Sequence, residues 1–204
     1  MNACPIGAKK EELRAKARAA RKALTKERRS SETRRVIDAV LRSPAYGKSG
    51  AVVSYMALGS ELDLTELNER VLSDGKKLLL PVVLGKDLIF REVKGLTEEY
   101  FALGSFGIRE PKEDLPLWDP EKEIDNTLFL LPGVAFDREC RRLGQGGGYY
   151  DRTLERLRSF RRANDTYAGV AFECQIAERI PTEEWDKALD LVITPGEIYI
   201  NHHI

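Results

Sequence analysis

The residues best able to do chemistry concentrate between positions 131 and 152. The run Leu131-Pro-Gly-Val-Ala-Phe-Asp137 continues through Arg142-Leu-Gly-Gln-Gly-Gly-Gly-Tyr-Tyr-Asp-Arg152, with Gly144, Gly146, Gly147 and Gly148 close together. Clustered glycines let the backbone take positive φ and let a ligand approach the amides. The segment from Tyr149 to Phe160 reads as a helix. Its N-terminus offers unpaired N–H groups and partial positive charge, which suits a phosphate. Asp151 then puts a carboxylate in the first turn, where a hydrated magnesium ion would sit beside such a phosphate. The plain alternative is a loop whose glycines only make a tight turn. Arg142, two tyrosines and an aspartate in the same stretch favour a site.

Two familiar phosphate loops are excluded. The pattern G-x-x-x-x-G-K-[ST] needs a Lys-Ser/Thr pair that does not follow these glycines. The dinucleotide fingerprint G-x-G-x-x-G, started at Gly144, needs glycine where Tyr149 stands, and should follow its strand directly. Histidine chemistry is also scarce, because His202 and His203 at the C-terminal end are the only histidines. Unless that tail folds back into a cleft, Ser-His and Cys-His nucleophile systems are unavailable. Chemistry must come from carboxylates, lysine, arginine, tyrosine, backbone amides and a hard metal ion.

The chain that must position these groups has 204 residues, of which 42% are apolar and 32% charged. It is long enough for one sizeable domain with a proper core. No apolar run approaches the roughly 18–20 residues that span a bilayer, and the first residues show no signal-peptide core. Cys4, Cys140 and Cys174 form no CxxC pair, which argues against a disulfide framework or zinc site and fits a reducing, cytoplasmic setting. Formal net charge is zero, yet Lys9 to Arg35 holds twelve Lys/Arg against four Asp/Glu. That stretch reads either as solvated basic helices or as a local positive field for an anionic ligand.

Ala8 to Ala23 is rich in strong helix formers. Thr25 can cap a second helix to about Arg42, ended by Ser43-Pro44. Ala51 to Met56 suits a buried strand. Asp63 with Glu66 matches an N-cap and its reciprocal partner, opening a helix to about Ser73. Lys77–Val83 and Asp87–Val93 read as strands joined by a tight Gly85-Lys86 turn. Gly95 to Asn126 is irregular, a long excursion over the surface or the site. Further strands follow at Thr127–Leu131, Tyr167–Phe172, Leu189–Thr194 and Glu197–Ile200, with a short helix around Thr182–Lys187. Strands alternating with helices predict one α/β domain over 1–204, with a largely parallel central sheet flanked by helices. The basic helices of residues 1–44 pack on the body formed by 45–204.

In such sheets ligands bind beyond the carboxyl ends of the strands. Ala51–Met56 exits toward Ser60-Glu61, Thr127–Leu131 toward the glycine loop, and Tyr167–Phe172 toward Glu173. Glu61 is either an ordinary surface carboxylate or an ionised acceptor for the paired N–H groups of an aminopyrimidine-like ring.

Pro132-Gly-Val-Ala-Phe-Asp137 followed by Arg142-Leu-Gly-Gln-Gly-Gly-Gly-Tyr-Tyr-Asp-Arg152 resembles the signature of the 5-formyltetrahydrofolate cyclo-ligase family. The resemblance extends to Lys10-Glu-Glu-Leu-Arg14, Tyr55-Met-Ala-Leu-Gly-Ser-Glu61 and Phe106-Gly-Ile-Arg-Glu-Pro111. It continues in Ala168-Gly-Val-Ala-Phe172 and in Pro181-Thr-Glu-Glu-Trp-Asp186 through Thr194. The central motif is highly specific as a whole, and the flanking ones gain weight from their order. The resemblance implies a ribose-isomerase or CoA-transferase kind of fold and a monomeric enzyme acting on reduced folate and ATP with Mg²⁺. ATP would meet Lys10, Arg14, Arg142, Leu143, Gly144, Gln145, Gly146, Gly147, Gly148, Tyr149 and Tyr150. Folate would meet Met56, Glu61, Phe106 and Tyr149, and Asp151 with Asp186 would hold the metal. Lys10 and Arg14, one helical turn apart, share a face. Met56 and Phe106 also fit as core residues, and Asp186 as a surface helix residue.

Two positions depart from the family. Gly is usual where Cys140 stands, so either Cys140 carries strain of order 1 kcal/mol at positive φ or the turn differs. Lys is frequent where Gly147 stands, which removes one phosphate contact. Rival expectations are a sugar-phosphate isomerase or CoA transferase on the same fold, and a nucleic-acid-binding protein using the basic helices. Against the last, no aromatics interleave the basic stretch.

Overall fold

The computed structural model describes residues 5–104, 107, 109–123, 126–160, 165–183 and 186–202. Its helices are α1 (Pro5–Lys22), α2 (Lys26–Arg42), α3 (Pro44–Lys48), α4 (Thr65–Ser73) and α5 (Tyr149–Ser159). The main sheet uses β1 (Ala51–Val53), β2 (Lys77–Leu84), β3 (Asp87–Val93), β6 (Thr127–Leu131), β9 (Thr166–Val170), β11 (Leu191–Ile193) and β12 (Ile198–Ile200). Two small sheets add β4 (Phe101–Leu103) with β5 (Arg109–Pro111), and β7 (Ala135–Asp137) with β8 (Arg142–Leu143) and β10 (Ile176–Ala177).

The main sheet runs β12-β11-β9-β6-β1-β2-β3. Its five central strands are mutually parallel, and β3 and β12 add antiparallel edges. The expected α/β domain with a largely parallel sheet is therefore present. Both faces are covered, which is why β1 and β6 are buried at every residue rather than alternating. On one side Val36, Ile37 and Val40 of α2 and Leu67 and Val71 of α4 pack on Val52, Leu78 and Leu128. On the other, Leu154 and Leu157 of α5 pack on Val53, Leu79 and Phe129.

The strand order creates the position for a site. From β1 the chain moves to β2 on one side, then returns with β6 on the other side of β1. The connections thus diverge between β1 and β6, and beyond the carboxyl ends of such a pair the sheet leaves a crevice.

Local signals explain most boundaries. Thr25 caps α2 by accepting from the Arg28 N–H, and Ser43 ends α2 while its hydroxyl accepts from the Tyr46 N–H to start α3, a turn of helix that had no sequence signal. The Gly85-Lys86 turn joins β2 and β3 with Leu84 paired to Asp87, and Gly85 takes the positive φ it requires. The capping expectation at Asp63 and Glu66 fails. The N-cap position is Leu64, and the Asp63 carboxylate instead accepts from the N–H and hydroxyl of Thr65 in an Asx turn. The helix expected at Thr182–Lys187 is likewise not formed at the described residues of that range, among which the Asp186 N–H bonds the Glu183 carbonyl; residues 184 and 185 lie outside the described residues.

Candidate active site

A cavity of about 510 Å³ opens at the divergence of β1 and β6. Tyr55 and Met56 follow β1, Pro132 and Gly133 follow β6, and both pairs line it. One wall is the loop before α5 with the first turn of that helix, between Gly144 and Asp151. A second stretch of lining is the Leu58–Glu61 turn with Pro81, Val83 and Leu88 of the β2–β3 hairpin. Arg109 and Glu110 of β5 contribute the rest.

Arg142 reaches this site through a chain of local bonds. The Asp137 carboxylate is fully buried and accepts from the N–H groups of Glu139, Arg141 and Ile180 and from Arg141 Nε. It folds residues 137–141 into the turn that sends the chain back as β8. Cys140 closes this turn at φ 59°, the sole non-glycine residue with positive φ among those described. The strained alternative is thus the one realised. The Cys140 thiol is buried, bonds the Tyr199 carbonyl at 3.4 Å and is pushed up to about 11 by burial. Gln175, also buried, donates to the carbonyls of Gly133 and Val134 and so fixes the exit of β6.

The Arg142 side chain is 4% exposed, yet its ion-pair partner Asp151 is 42% exposed on the cavity wall. Arg142 also donates to the Pro132 carbonyl at 3.2 Å and lies over the Tyr150 ring at 5.5 Å. Its Nε is buried without a partner among the described residues. A nearly buried guanidinium with spare donors and one half-open counter-ion is poised for a further anion. Gly144 makes room for it, because a Cβ there would lie 3.0 Å from Arg142 Nη1. Gly146 and Gly148 take positive φ, which shapes the loop ahead of α5. Gly147 does not; a Cβ there would meet the Tyr149 ring at 3.0 Å. Arg152 stacks on that ring at 5.3 Å and ties Gly147 to the hairpin tip at Lys86.

On the other wall, Glu61 accepts from the Leu58 N–H at 3.1 Å and from Gln145 Nε2 at 3.3 Å. The glutamate therefore touches the glycine loop. The Tyr55 hydroxyl donates to the Leu62 carbonyl at 2.9 Å. Burial holds the phenols of Tyr55 and Tyr150 above their ordinary pKa, with the Glu61 charge adding to both, so they stay protonated.

Helix α1 presents a basic face inward. Lys10 and Arg21 are buried, whereas Lys9, Lys16 and Lys22 are solvated. Arg14 Nε donates to the Gly144 carbonyl at 2.9 Å, and Arg18 donates to Gln145. Lys10 instead pairs with Glu183 at 2.7 Å and Asp186 at 2.6 Å, and does not line the cavity. Burial opposes its charge, but the two carboxylates outweigh it and raise its pKa.

Of the expected site residues, the structure brings Met56, Glu61, Arg142, Gly144, Gln145, Gly147, Gly148, Tyr149, Tyr150 and Asp151 to one cavity. Arg14 stands behind the loop, Gly146 lies in the loop without lining the cavity, and Leu143 is buried in β8. Phe106 lies outside the described residues. Asp186 stays with Lys10 away from the cavity, and Glu173 does not line it either. Sequence reasoning quoted Tyr55, Leu58, Arg109, Glu110, Pro132 and Gly133 within motifs without assigning them individually, and gave no site role to Pro81, Val83 and Leu88. The half-buried run Pro81–Val83 at the end of a strand is the one trace of them that periodicity carries.

No group of three or more His, Cys, Asp or Glu side chains suited to a metal occurs among the described residues. Magnesium is commonly held by one or two carboxylates, with phosphate oxygens and water completing its shell. Asp151, half-open on the cavity, fits that manner of binding.

Residues 6–195 match the model of the 5-formyltetrahydrofolate cyclo-ligase family. The chain is 31% identical to the 5-formyltetrahydrofolate cyclo-ligase of Escherichia coli K12 over 182 residues, 88% of this chain and 96% of that protein. The solution structure of Aquifex aeolicus 5,10-methenyltetrahydrofolate synthetase aligns with a TM-score of 0.79 at 35% identity, covering 96% of this chain and 94% of that one. A 5,10-methenyltetrahydrofolate synthetase from Mycoplasma pneumoniae shares the fold, with a TM-score of 0.70 at 21% identity over 91% and 98% of the two chains.

Proposed function

Since the chain belongs to the 5-formyltetrahydrofolate cyclo-ligase family and is an enzyme of that activity, we propose that the cavity joins 5-formyltetrahydrofolate to ATP chemistry. Products are 5,10-methenyltetrahydrofolate, ADP and phosphate. The observation that carries this reading is one cavity lined by two unlike sets of residues. Arg142, Asp151 and the glycine loop form one set, and Glu61 with Met56 and the hairpin's apolar residues the other.

Phosphoryl transfer asks a protein mainly for positioning and charge neutralisation. The loop amides and Arg142 cradle the polyphosphate, with Arg14 holding the loop from behind at the Gly144 carbonyl. Glu61 takes the N–H groups of the pterin edge, and Met56 and Tyr149 pack on its rings. The formyl oxygen then attacks the γ-phosphorus as the bridging P–O bond breaks and ADP leaves. N10 attacks the activated formyl carbon and loses its proton, and cleavage of the C–O bond releases phosphate as the ring closes. Magnesium, when bound, supplies charge neutralisation of the phosphates, with Asp151 as its protein ligand. Asp186 is assigned to anchoring Lys10 and α1. No helix of the described residues is long and apolar enough to cross a membrane.

The test is the growth of methenyltetrahydrofolate absorbance on mixing protein, 5-formyltetrahydrofolate, ATP and Mg²⁺, with one ADP and one phosphate per turnover. Absence of turnover, or turnover without nucleotide, would refute the proposal. The latter outcome would favour an isomerase- or transferase-like chemistry.

A further inference from the structure

Arg21 is only 5% exposed, which is unusual for an arginine near the end of a helix whose Lys9, Lys16 and Lys22 are solvated. Taking a guanidinium out of water costs several kcal/mol unless it is well paired. Its Nε donates to the Ser60 hydroxyl at 3.0 Å. A second arginine completes the arrangement: Arg29 Nη1 donates to the Ser60 carbonyl at 2.7 Å, and Nη2 to the Arg21 carbonyl at 2.6 Å. Arg29 is itself held over the Phe172 ring at 5.1 Å.

The segment so gripped is otherwise held by local bonds. Leu58 is 49% exposed, Gly59 sits at φ +60° with open space around it, and the turn closes on itself through the Glu61 N–H to the Leu58 carbonyl and the Leu58 N–H to the Glu61 carboxylate. Burial lowers the pKa of Arg21, and the Glu61 charge opposes that shift, which places the two charges within each other's field. On its far side Glu61 meets Gln145, which Arg18 grips.

We propose that Arg21, locked by Arg29, is a positioning residue: through Ser60 it holds the Leu58–Glu61 turn so that the Glu61 carboxylate faces the cavity. Helix α1 then braces both walls of the site, the nucleotide wall through Arg14 and Arg18 and the folate wall through Arg21. The inference rests on the reading of Glu61 as a folate contact, and goes beyond it by naming what fixes that carboxylate.

The test uses the full-length protein with separate calorimetric titrations of 5-formyltetrahydrofolate and of a non-hydrolysable ATP analogue. Losing a bond from a charged donor predicts that Arg21→Met weakens folate binding about tenfold or more. Nucleotide affinity stays within about twofold of the parent, because Arg14 and Arg18 are intact. Arg21→Lys recovers part of the loss. Arg21→Met adds little to Glu61→Gln, since both act through one carboxylate. Full additivity of the two changes, or unchanged folate affinity in Arg21→Met when Glu61→Gln weakens it, would overturn the brace while leaving the Glu61 reading standing. Unchanged folate affinity in Glu61→Gln would overturn that reading, and the brace with it. If Arg21→Met does not fold, Ser60→Ala carries the test, with folate binding about threefold weaker expected; unchanged affinity there also overturns the brace.

Discussion

Cys140 offers a prediction whose sign runs against the usual rule. Alanine normally stabilises relative to glycine, by about 0.4–1 kcal/mol, because glycine leaves the unfolded chain freer. At φ 59° a Cβ is in the left-handed region, which costs a non-glycine residue roughly 1–2 kcal/mol. Cys140→Ala keeps that cost and forfeits the buried sulfur with its bond to the Tyr199 carbonyl, a loss of about 1 kcal/mol. Cys140→Gly forfeits the same sulfur and its Cβ, but releases the strain. The glycine variant is therefore expected to be more stable than the alanine variant by ~0.5–1 kcal/mol, and within ~1 kcal/mol of the parent. Urea denaturation with shared m-values reads this directly: the midpoint of Cys140→Gly lies about 0.3 M above that of Cys140→Ala. An alanine variant equal to or more stable than the glycine variant would refute the strained turn.

Asp151→Asn is expected to raise the Kd for Mg·ATP about tenfold or more with folate binding little changed, and Glu61→Gln to do the reverse; titrating each ligand against each variant checks this. Gly144→Ala forces a Cβ to within 3.0 Å of Arg142 Nη1, so nucleotide affinity should fall roughly three- to tenfold with stability nearly unchanged. The raised Cys140 pKa also fixes a pH dependence. The folded thiol stays protonated to about 11 while the unfolded one ionises near its ordinary value of 9.0. Its contribution is thus complete below pH 9 and lost as pH climbs toward 11, a loss of order 2 kcal/mol. The parent, about 1 kcal/mol more stable than Cys140→Ala at pH 8, should fall below it by pH 11, so stability profiles of the two should cross.

The parts of the fold that were legible in the sequence are those where local chemistry and tertiary need coincide. Thr25 caps a helix whether or not α2 is packed, and Gly85-Lys86 turns a hairpin on its own. Thr127–Leu131 is buried on both faces and reads as an unbroken apolar run. Asp63 misled because the same Asx side chain satisfies an Asx turn as readily as a helix N-cap, and Leu64 intervenes. At Thr182–Lys187 the described residues are not helical, and the Asp186 carboxylate is taken up by Lys10 and the Glu183 N–H. β7, β8 and β10 are two or three residues long, too short for any periodicity. In the site, the glycine loop was legible because its residue types are unusual. Pro81, Val83 and Leu88 were not, since an apolar side chain lining a cavity has the same composition as one lining a core. The inward basic face of α1 was hidden for the opposite reason: Arg14 and Arg21 share their sequence surroundings with solvated lysines, and only the docked loops tell them apart.

The order of the strands bears on how the chain comes off the ribosome. β1 lies between β2 and β6, and Ala51 pairs with Thr127, so the middle of the sheet stays open until most of the chain has been made. Helix α1 waits longer still, because its tether from Lys10 to Glu183 spans 173 residues. Such long-range closures are entropically slow. The first helix to emerge is therefore among the last to find its place, and a nascent or truncated chain exposes an unpartnered cationic helix until the final strands arrive.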